Sequence, residues 1–353
     1  MERRFSTNGN AVLVTGGAGY VGSHACKALA RTGYIPVTFD NLASGNRWAV
    51  RWGPLELGDI LDVSRLNEVC KKYRPVAIMH FAASALVGES MREPALYYRN
   101  NVAGALGLLD VARLHEITSF VFSSTCAIYG IPDEVPIRED APQRPINPYG
   151  ASKRMFERIL ADYAMAYGIR YAALRYFNAA GADPDGDIGE CRELETHLIP
   201  LVLDAVLGRR PPLCILGADY PTPDGTAIRD FIHVADLAEA HVTALRHLLA
   251  GGTSIECNLG TGIGHSVREV ISAAQSVTGR DVPHVVGPRR PGDPPELVAH
   301  PQRALDVLRL TLRHSADIAQ IIGDAWSWHL GGMTARLAGG PCDLLVHNQD
   351  NLN

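Results

Sequence analysis

A tyrosine and a lysine four residues apart form the pair with the clearest chemical potential in this chain. Tyr149 and Lys153 stand in the segment YGASK, at the start of a longer segment with helical periodicity. Residues four apart leave the same face of a helix, so the phenol and the ammonium would lie side by side. A phenol has a pKa of about 10, and an adjacent cation favours its ionised form. The pair therefore predicts a base that removes a proton from a substrate hydroxyl group.

Thr125 supplies a hydroxyl group upstream of this pair. It ends the run SST, which closes the apolar segment SFVFSST. Doubly wound sheets bind ligands beyond the carboxyl ends of their strands, so this hydroxyl could hydrogen-bond the same substrate oxygen as Tyr149. Taken alone, a Tyr-x-x-x-Lys pair on a helix is usually surface decoration. Its chemical interpretation depends on a cofactor fingerprint elsewhere in the chain.

The segment TGGAGYVGSH is such a fingerprint, because it joins a predicted strand to a predicted helix. Gly16 would permit the tight turn, Gly19 would let the backbone approach a pyrophosphate, and Gly22 would let the helix pack on the strand. Asp40 ends the next predicted strand, where a carboxylate accepts hydrogen bonds from ribose hydroxyls and repels a 2′-phosphate. Ordinary turn glycines and a helix-capping Asp40 are the alternative. The pattern predicts NAD, whose positive nicotinamide ring would also favour the phenolate.

Strand-like and helix-like segments alternate through the first half of the chain. The runs AVLVTG, IPVTFD, VAIMHFAAS, SFVFSST and YAALRYFN are separated by helical patterns. This order predicts an α/β fold with a Rossmann-like doubly wound parallel sheet. Loops rich in Pro and Gly follow Gly181 and predict a smaller, partly discontinuous C-terminal substrate lobe. We expect an NAD-binding domain over 9–180, with segments near 230–262 returning to it, a lobe over 181–335, and a tail over 336–353.

Composition limits the classes of function. Of 353 residues, 46% are hydrophobic and 20% charged, which is ordinary for a globular protein, and the net charge of -5 argues against a nucleic-acid partner. Seven cysteines without metal-ligand spacing suit a reducing compartment and imply no metal site. No signal-peptide pattern precedes the first strand, and no apolar run reaches about 18 residues. We therefore expect a cytoplasmic protein with no membrane partner.

These features resemble the extended short-chain dehydrogenase/reductase family, and within it the UDP-glucose 4-epimerases. The resemblance spans about residues 11 to 330 and includes VTGGAGYVGSH, NPYGASK, LRYFNAAGADP, YPTPDGTAIRDFIHVADLA and RRPGDPPELVA. It implies an NAD-dependent isomerase that interconverts UDP-glucose and UDP-galactose through a transient 4-keto sugar, with NAD remaining bound. It also implies a homodimer, in which the helix carrying Tyr149 and the segment from about Pro94 to Leu114 pair across a two-fold axis.

The resemblance assigns roles position by position. Tyr149, Thr125 and Lys153 would be catalytic, with Tyr149 taking the proton of the 4-hydroxyl group and Lys153 also holding the nicotinamide ribose. The cofactor would contact Tyr149, Lys153, Gly16, Gly19, Tyr20, Val21, Gly22, Asp40, Asn41, Leu42, Ser44, Gly45, Asp59, Ile60, Phe81, Ala82, Ala83, Ala85, Asn100, Ser124 and Phe177. The UDP-hexose would contact Thr125, Tyr149, Asn178, His197, Leu198, Arg229, Arg290, Asp293 and Leu297.

Within this substrate set, Arg229 and Arg290 would hold the diphosphate, because a guanidinium pairs bidentately with its oxygens. Either arginine alone could equally be a solvated surface charge. Asp293 would bind the uridine ribose. Leu297 stands where some relatives have a bulky tyrosine, which predicts room for an N-acetylated hexosamine. Ala85 stands where the family can carry a lysine, so that cation is missing from the cofactor shell.

Several related activities remain open at this point. They are a pentose or uronate epimerase, a nucleotide-sugar 4,6-dehydratase, a reductase that consumes NAD(H), and a non-catalytic redox sensor. The dehydratases that resemble this chain carry an Asp-Glu pair directly after the threonine, where this chain has Cys126 and Ala127. A sensor would not require Tyr149, Lys153 and Thr125 together. An epimerase is therefore the expected activity.

Overall fold

Buried runs of apolar and β-branched residues form the strands at the centre of the molecule. The computed structural model describes residues 9–290 and 292–337, the last six of them by their backbone alone. The predicted tail over 336–353 lies outside the described residues except for its first two positions. The strands are β1 (Ala11–Thr15), β2 (Ile35–Asp40), β3 (Leu55–Leu57), β4 (Ala77–His80), β5 (Ser119–Thr125), β6 (Arg170–Tyr176), β7 (Asn178–Ala180), β8 (Leu213–Leu216), β9 (Ile228–His233), β10 (Ile255–Leu259), β11 (Gly264–Ser266), β12 (His284–Gly287) and β13 (Glu296–Leu297).

The helices follow the strands in the order expected of βαβ units. They are α1 (Tyr20–Arg31), α2 (Val63–Tyr73), α3 (Val87–Arg92), α4 (Pro94–Tyr98), α5 (Ala105–Leu114), α6 (Pro148–Tyr167), α7 (Leu198–Val206), α8 (Val234–Leu249), α9 (Val267–Thr278), α10 (Gln302–Leu308) and α11 (Ile318–Leu337). A π-helical segment, Arg99–Gly104, joins α4 to α5, and a 3-10 turn, Cys126–Ile128, follows β5.

Seven parallel strands form the central sheet in the spatial order β10, β6, β5, β4, β1, β2, β3. Helices α2, α5 and α6 bury apolar side chains on one face, and α1, α8 and α10 do so on the other. The strand order changes direction between β1 and β4, where doubly wound sheets open a ligand crevice. The predicted Rossmann-like fold is confirmed.

The second half of the chain builds a smaller lobe. There β9 pairs with β7, β11 and β13, while β8 pairs with β12. Helices α7, α9 and α11 share its core. Strand β10 and helix α8 return to the central sheet. The domain boundaries given above stay a prediction.

Across residues 9–290 and 292–337, no helix combines the length and the apolar character needed to cross a membrane.

Candidate active site

The first turn of α6 delivers Tyr149 to the end of β5. Asn147 caps this helix by accepting the Gly150 backbone N–H at 2.8 Å, and Pro148 occupies the first helical position, which it favours. Gly150 lies against the 3-10 turn that follows β5: a Cβ there would lie 2.5 Å from the carbonyl oxygen of Ala127. The glycine in YGASK therefore allows the close approach of helix and strand end. Gly150 is not among the site residues predicted from the sequence.

The structure places the Tyr149 hydroxyl group next to Thr125 at the end of β5. The hydroxyl group of Thr125 lies close enough to the phenol to favour its ionised form. Burial raises the pKa of Tyr149 to about 12, although Thr125 and the charge of Arg192 lower it. In the protein without a bound cofactor, the desolvation of the phenol outweighs the charges around it, so the predicted phenolate requires the second cation, the nicotinamide ring of NAD.

Lys153 lies one turn further along α6 and is fully buried. Its Nζ donates to the carbonyl oxygen of Ser123 at 2.8 Å and lies 4.8 Å from the ring centroid of Phe122. Burial lowers the pKa of Lys153 to about 7, while Glu157 raises it. A lysine carries three N–H donors, so the bond to Ser123 leaves two for a ligand.

The hydroxyl run at the end of β5 divides between the two faces of the sheet. Thr125 Oγ1 accepts the Ala127 N–H at 3.1 Å and so caps the 3-10 turn. The hydroxyl group of Ser124 instead donates to Glu157 at 2.5 Å, deep in the interior. Successive residues of a strand point to opposite faces, which is why the two side chains diverge. Only the backbone of Ser124 is therefore available for the predicted contact with the cofactor.

The turn before α1 has the shape that a dinucleotide requires. Gly16 has a φ of +75°, and a Cβ there would lie 2.5 Å from the backbone nitrogen of Ala82. A Cβ at Gly22 would lie 2.2 Å from the carbonyl oxygen of Gly16. Gly19 is the N-cap of α1, so no side chain covers the amide groups at this helix end. The positive end of the helix dipole and free amides suit a pyrophosphate, so these residues fit NAD.

Asp40 organises the loops on either side of this turn. Its carboxylate accepts the Ala18 N–H at 3.0 Å and the Leu42 N–H at 2.8 Å. Burial raises its pKa, against these two hydrogen bonds. Asp59 accepts the side-chain amide of Asn41 at 2.9 Å. Each carboxylate oxygen has further lone pairs, so both residues keep acceptor capacity for a ribose or adenine group.

The other predicted cofactor positions surround the same crevice with different degrees of access. The hydroxyl of Tyr20 donates to Gly181 O at 2.7 Å, and the side chain of Ile60 lies in the core. Phe81 packs on His241, with 4.7 Å between ring centroids. Asn100 donates to Asn101 at 3.0 Å. Half-buried or exposed positions are Val21, Ser44, Gly45, Ala82, Ala83 and Ala85.

The lobe brings three predicted substrate residues together. Arg229 donates to Asp293 at 2.6 Å, and Leu297 is the register partner of Arg229 in the pairing of β13 with β9. Leu297 also packs against the cluster that contains Phe177 and Cys126 at the end of β5. The predicted phosphate ligand and ribose ligand therefore form an ion pair with each other in the protein alone. Arg290 is exposed, Asn178 begins β7, and Leu198 begins α7.

A charged cluster that the sequence analysis missed surrounds His197. Glu190 is buried and accepts from Arg192 at 2.8 Å, and its Oε1 lies 2.8 Å from His197 Nδ1. Burial alone would lower the pKa of His197, but Glu190 outweighs it and raises that pKa. Glu195 accepts the backbone N–H of His197 at 2.8 Å. The only signal in the sequence was the clustering of charged residues before THLIP.

The loop before this cluster is fastened to α1. The Lys27 ammonium donates to Asp183, Asp185 and Asp187 at 2.5, 2.9 and 2.7 Å. The side chain of Lys27 is 7% exposed, so its charge is shared mainly with these three carboxylates. This contact joins the helix of the dinucleotide turn to the first loop of the lobe.

Comparison with known proteins agrees with this geometry. The model of the NAD dependent epimerase/dehydratase family matches residues 12–260. A UDP-glucose 4-epimerase of Rhizobium leguminosarum bv. trifolii is 53% identical over 321 residues, which are 91% of this chain and 98% of the relative.

Solved structures agree as well. The crystal structure of UDP-glucose 4-epimerase from Brucella ovis in complex with NAD is 53% identical, with a TM-score of 0.87 over 90% of this chain and 98% of that one. The enzyme from Bifidobacterium longum in complex with NAD+ and UDP is 34% identical, with a TM-score of 0.86 over 92% and 99%. This chain therefore belongs to the NAD dependent epimerase/dehydratase family and, within it, to the UDP-glucose 4-epimerases.

Proposed function

We propose that this chain interconverts UDP-glucose and UDP-galactose by oxidising C4 of the sugar and reducing it again from the other face. The observation that carries the proposal is the meeting of Tyr149, Thr125 and Lys153 at the carboxyl edge of a sheet whose first turn fits a dinucleotide. Oxidation of a secondary alcohol requires a base for the hydroxyl proton beside a hydride acceptor, and the phenolate of Tyr149 is such a base.

Tyr149 removes the proton of the 4-hydroxyl group, and Thr125 donates a hydrogen bond to the same oxygen. Bound NAD would supply a reversible hydride acceptor for C4 and, in its oxidised form, a positive charge beside the phenol. Burial raises the pKa of Tyr149 to about 12 in the protein itself, so the phenolate depends on that charge and on Thr125. Lys153 holds the nicotinamide ribose with the donors that Ser123 leaves free.

The nucleotide must stay anchored while the flat ketone turns over. Arg229 exchanges its ion pair with Asp293 for the diphosphate, and Asp293 is then free for the uridine ribose. Arg290 adds a second guanidinium. Glu190 raises the pKa of His197 and so favours its positively charged form, and Asn178 and Leu198 complete the contacts. Because the ketone is reduced in the same site, the reaction consumes no cofactor.

The residues after Thr125 favour epimerisation over elimination of water. Elimination at C5 and C6 needs an added acid and base. Cys126 is buried, and burial raises the pKa of its thiol to about 12, so it stays protonated. Ala127 has no ionisable group. These two positions therefore supply neither an acid nor a base of useful pKa.

The function is tested by incubating the purified protein with UDP-galactose, without added NAD, and following the products by NMR. We expect UDP-glucose to form without accumulation of reduced cofactor. A 4-keto-6-deoxy product would identify a dehydratase instead, and stoichiometric reduction of the cofactor would identify a reductase. No reaction at all would favour a sensor. Tyr149→Phe should lower kcat by roughly 10²- to 10⁴-fold without loss of folding.

The position of Leu297 supports acceptance of N-acetylated sugars as well. Leu297 is smaller than the tyrosine found in some relatives and packs beside Phe177 at the end of β5. Comparable kcat/KM for UDP-galactose and its 2-acetamido analogue would support this wider range. Undetectable turnover of the analogue would exclude it.

Exposed apolar side chains support a homodimer. Leu96, Leu106 and Met155 are 44%, 37% and 47% exposed on α4, α5 and α6, the helices expected to pair across a two-fold axis. Clustered exposed apolar residues mark interaction surfaces. Sedimentation equilibrium should give twice the chain mass. The double variant Leu106→Glu/Met155→Glu should give a monomer.

A further inference from the structure

A buried guanidinium lies beneath the active site, and the reaction described above makes no use of it. Arg175 on β6 has no exposed surface. It donates to both carboxylate oxygens of Glu157 on α6, at 3.0, 3.2 and 2.7 Å, and to Glu256 at 2.7 Å. It also donates to the hydroxyl of Tyr129 at 3.1 Å. A buried ion pair is weak support for stability by itself, so its position calls for another explanation.

Glu157 connects the two elements that carry the catalytic groups. It follows Lys153 by one helical turn, so both leave the same face of α6. Its Oε1 accepts a hydrogen bond of 2.5 Å from the hydroxyl group of Ser124, the residue before the catalytic threonine. One turn earlier, Lys153 donates to the carbonyl of Ser123 at 2.8 Å. Two consecutive turns of the helix therefore hold two consecutive residues of β5.

The strand pairing directs Ser124 and Arg175 to the same carboxylate. They are register partners in the parallel pair of β5 and β6, so both side chains project to the face that α6 covers. Glu157 lies between them and α6 cannot slide along β5 without breaking bonds to both. The contact therefore fixes the helix against the strand in one register.

Glu157 is also the negative charge that faces Lys153. Burial lowers the pKa of Lys153 to about 7, and Glu157 raises it. The Arg175 guanidinium is charged as well and is paired with Glu157, whereas three further titratable groups of this region are neutral in the protein alone. Burial and Lys153 lower the pKa of His80 to about 3, and burial raises the pKa values of Tyr149 and Tyr176. Among these groups, Glu157 is the one that favours the charged lysine.

We propose that Glu157 is a positioning residue of the epimerase reaction: it fixes Thr125 relative to the Tyr149–Lys153 pair and keeps the ammonium of Lys153 charged. It touches neither substrate nor cofactor and acts through Ser124 and Lys153. The inference rests on the proposed function of the three catalytic residues.

The pH dependence of kcat for UDP-galactose, measured on the holoenzyme, tests the proposal. Activity that requires a charged Lys153 is lost as the pH rises through the pKa of that group. Glu157→Gln removes the charge that raises this pKa, so the alkaline limb should move down by about one pH unit. At neutral pH kcat should fall roughly ten- to a hundredfold, with partial recovery at lower pH. A residue needed only for folding would lower the whole profile without moving the limb.

Two further variants separate position from charge. Ser124→Ala removes the hydrogen bond between Glu157 and β5 but keeps the Glu157 carboxylate. We therefore expect kcat to fall about tenfold, with KM and the pH of the alkaline limb unchanged. Glu157→Asp keeps the charge and shortens the reach, and should behave like Ser124→Ala. Asp236→Asn is the matched control: this carboxylate on α8 is also buried and accepts three hydrogen bonds, on the opposite face of the sheet. It should lower the melting temperature without moving the pH profile.

The proposal is overturned by an unchanged kcat and pH profile in folded Glu157→Gln. If that variant does not fold, a wild-type kcat in Ser124→Ala overturns it. Tyr149→Phe in the same assay tests the proposed function separately. Near-normal activity of Tyr149→Phe would refute the assignment of the site itself. An inactive Tyr149→Phe beside an unaltered Glu157→Gln would refute only the positioning role.

Discussion

Replacement of Gly16 by alanine tests how closely the dinucleotide turn packs against the end of β4. A Cβ at this position would lie 2.5 Å from the backbone nitrogen of Ala82 and 2.7 Å from the carbonyl carbon of Phe81. Both contacts are with backbone, which is held through hydrogen bonds of 2.8 and 3.0 Å to the carbonyl of Thr15. No change of rotamer relieves such an overlap.

Two contributions add up to the expected loss of stability. Gly16 has a φ of +75°, and an L-residue in the left-handed region costs roughly 1–2 kcal/mol. Forcing extra atoms into a packed site typically costs about 1–3 kcal/mol more. Gly16→Ala should therefore lower the free energy of unfolding by about 2–5 kcal/mol.

Gly33→Ala is the matched control, because it has the strain without the overlap. Gly33 has a φ of +88°, and a Cβ there meets nothing within 4 Å. Urea unfolding should place Gly16→Ala below Gly33→Ala by about 1–3 kcal/mol. Gly16→Ala should also lose most of the NAD measured in the denatured, purified protein, since relief of the overlap moves the turn. Equal stability losses and equal NAD contents in the two variants would refute the close-approach argument.

Three further predictions concern the lobe. Lys27→Met leaves the carboxylates of the 183–187 loop without their shared ammonium and should lower the melting temperature. Because Lys27 lowers the pKa of two of these aspartates, the difference in melting temperature from wild type should shrink as the pH falls below about 4. A difference that stays constant with pH would contradict this. The KM for UDP-galactose should rise as the pH increases through the raised pKa of His197, and His197→Asn should abolish that rise. Leu297→Tyr should lower kcat/KM for the 2-acetamido substrate at least about tenfold while leaving that for UDP-galactose within about threefold, and a parallel loss of both would argue against a pocket-size effect.

Local sequence patterns were enough to predict most of the fold and part of the candidate active site. The alternation of apolar runs and helical periodicity predicted the parallel sheet, because both signals lie within a few residues of each other. The glycines of TGGAGYVGSH and the four-residue spacing of Tyr149 and Lys153 are local in the same sense. The sequence alone therefore indicated where a cofactor turn and a proton-transferring pair would be.

Only the tertiary structure shows where side chains point, which charged groups pair and which groups are removed from water. Whether Ser124 faces the crevice or the interior depends on the helix packed over β5. The ion pair of Arg229 and Asp293 joins positions 64 residues apart.

The pKa of Tyr149 depends on burial, which adjacent residues do not determine. The sequence shows that Glu157 follows Lys153 by one helical turn. Its role, however, depends on Arg175, a charged residue 18 positions away that is completely buried. Spacing along the chain thus determined which groups are present, and packing decided which of them are charged, paired or free to meet a substrate.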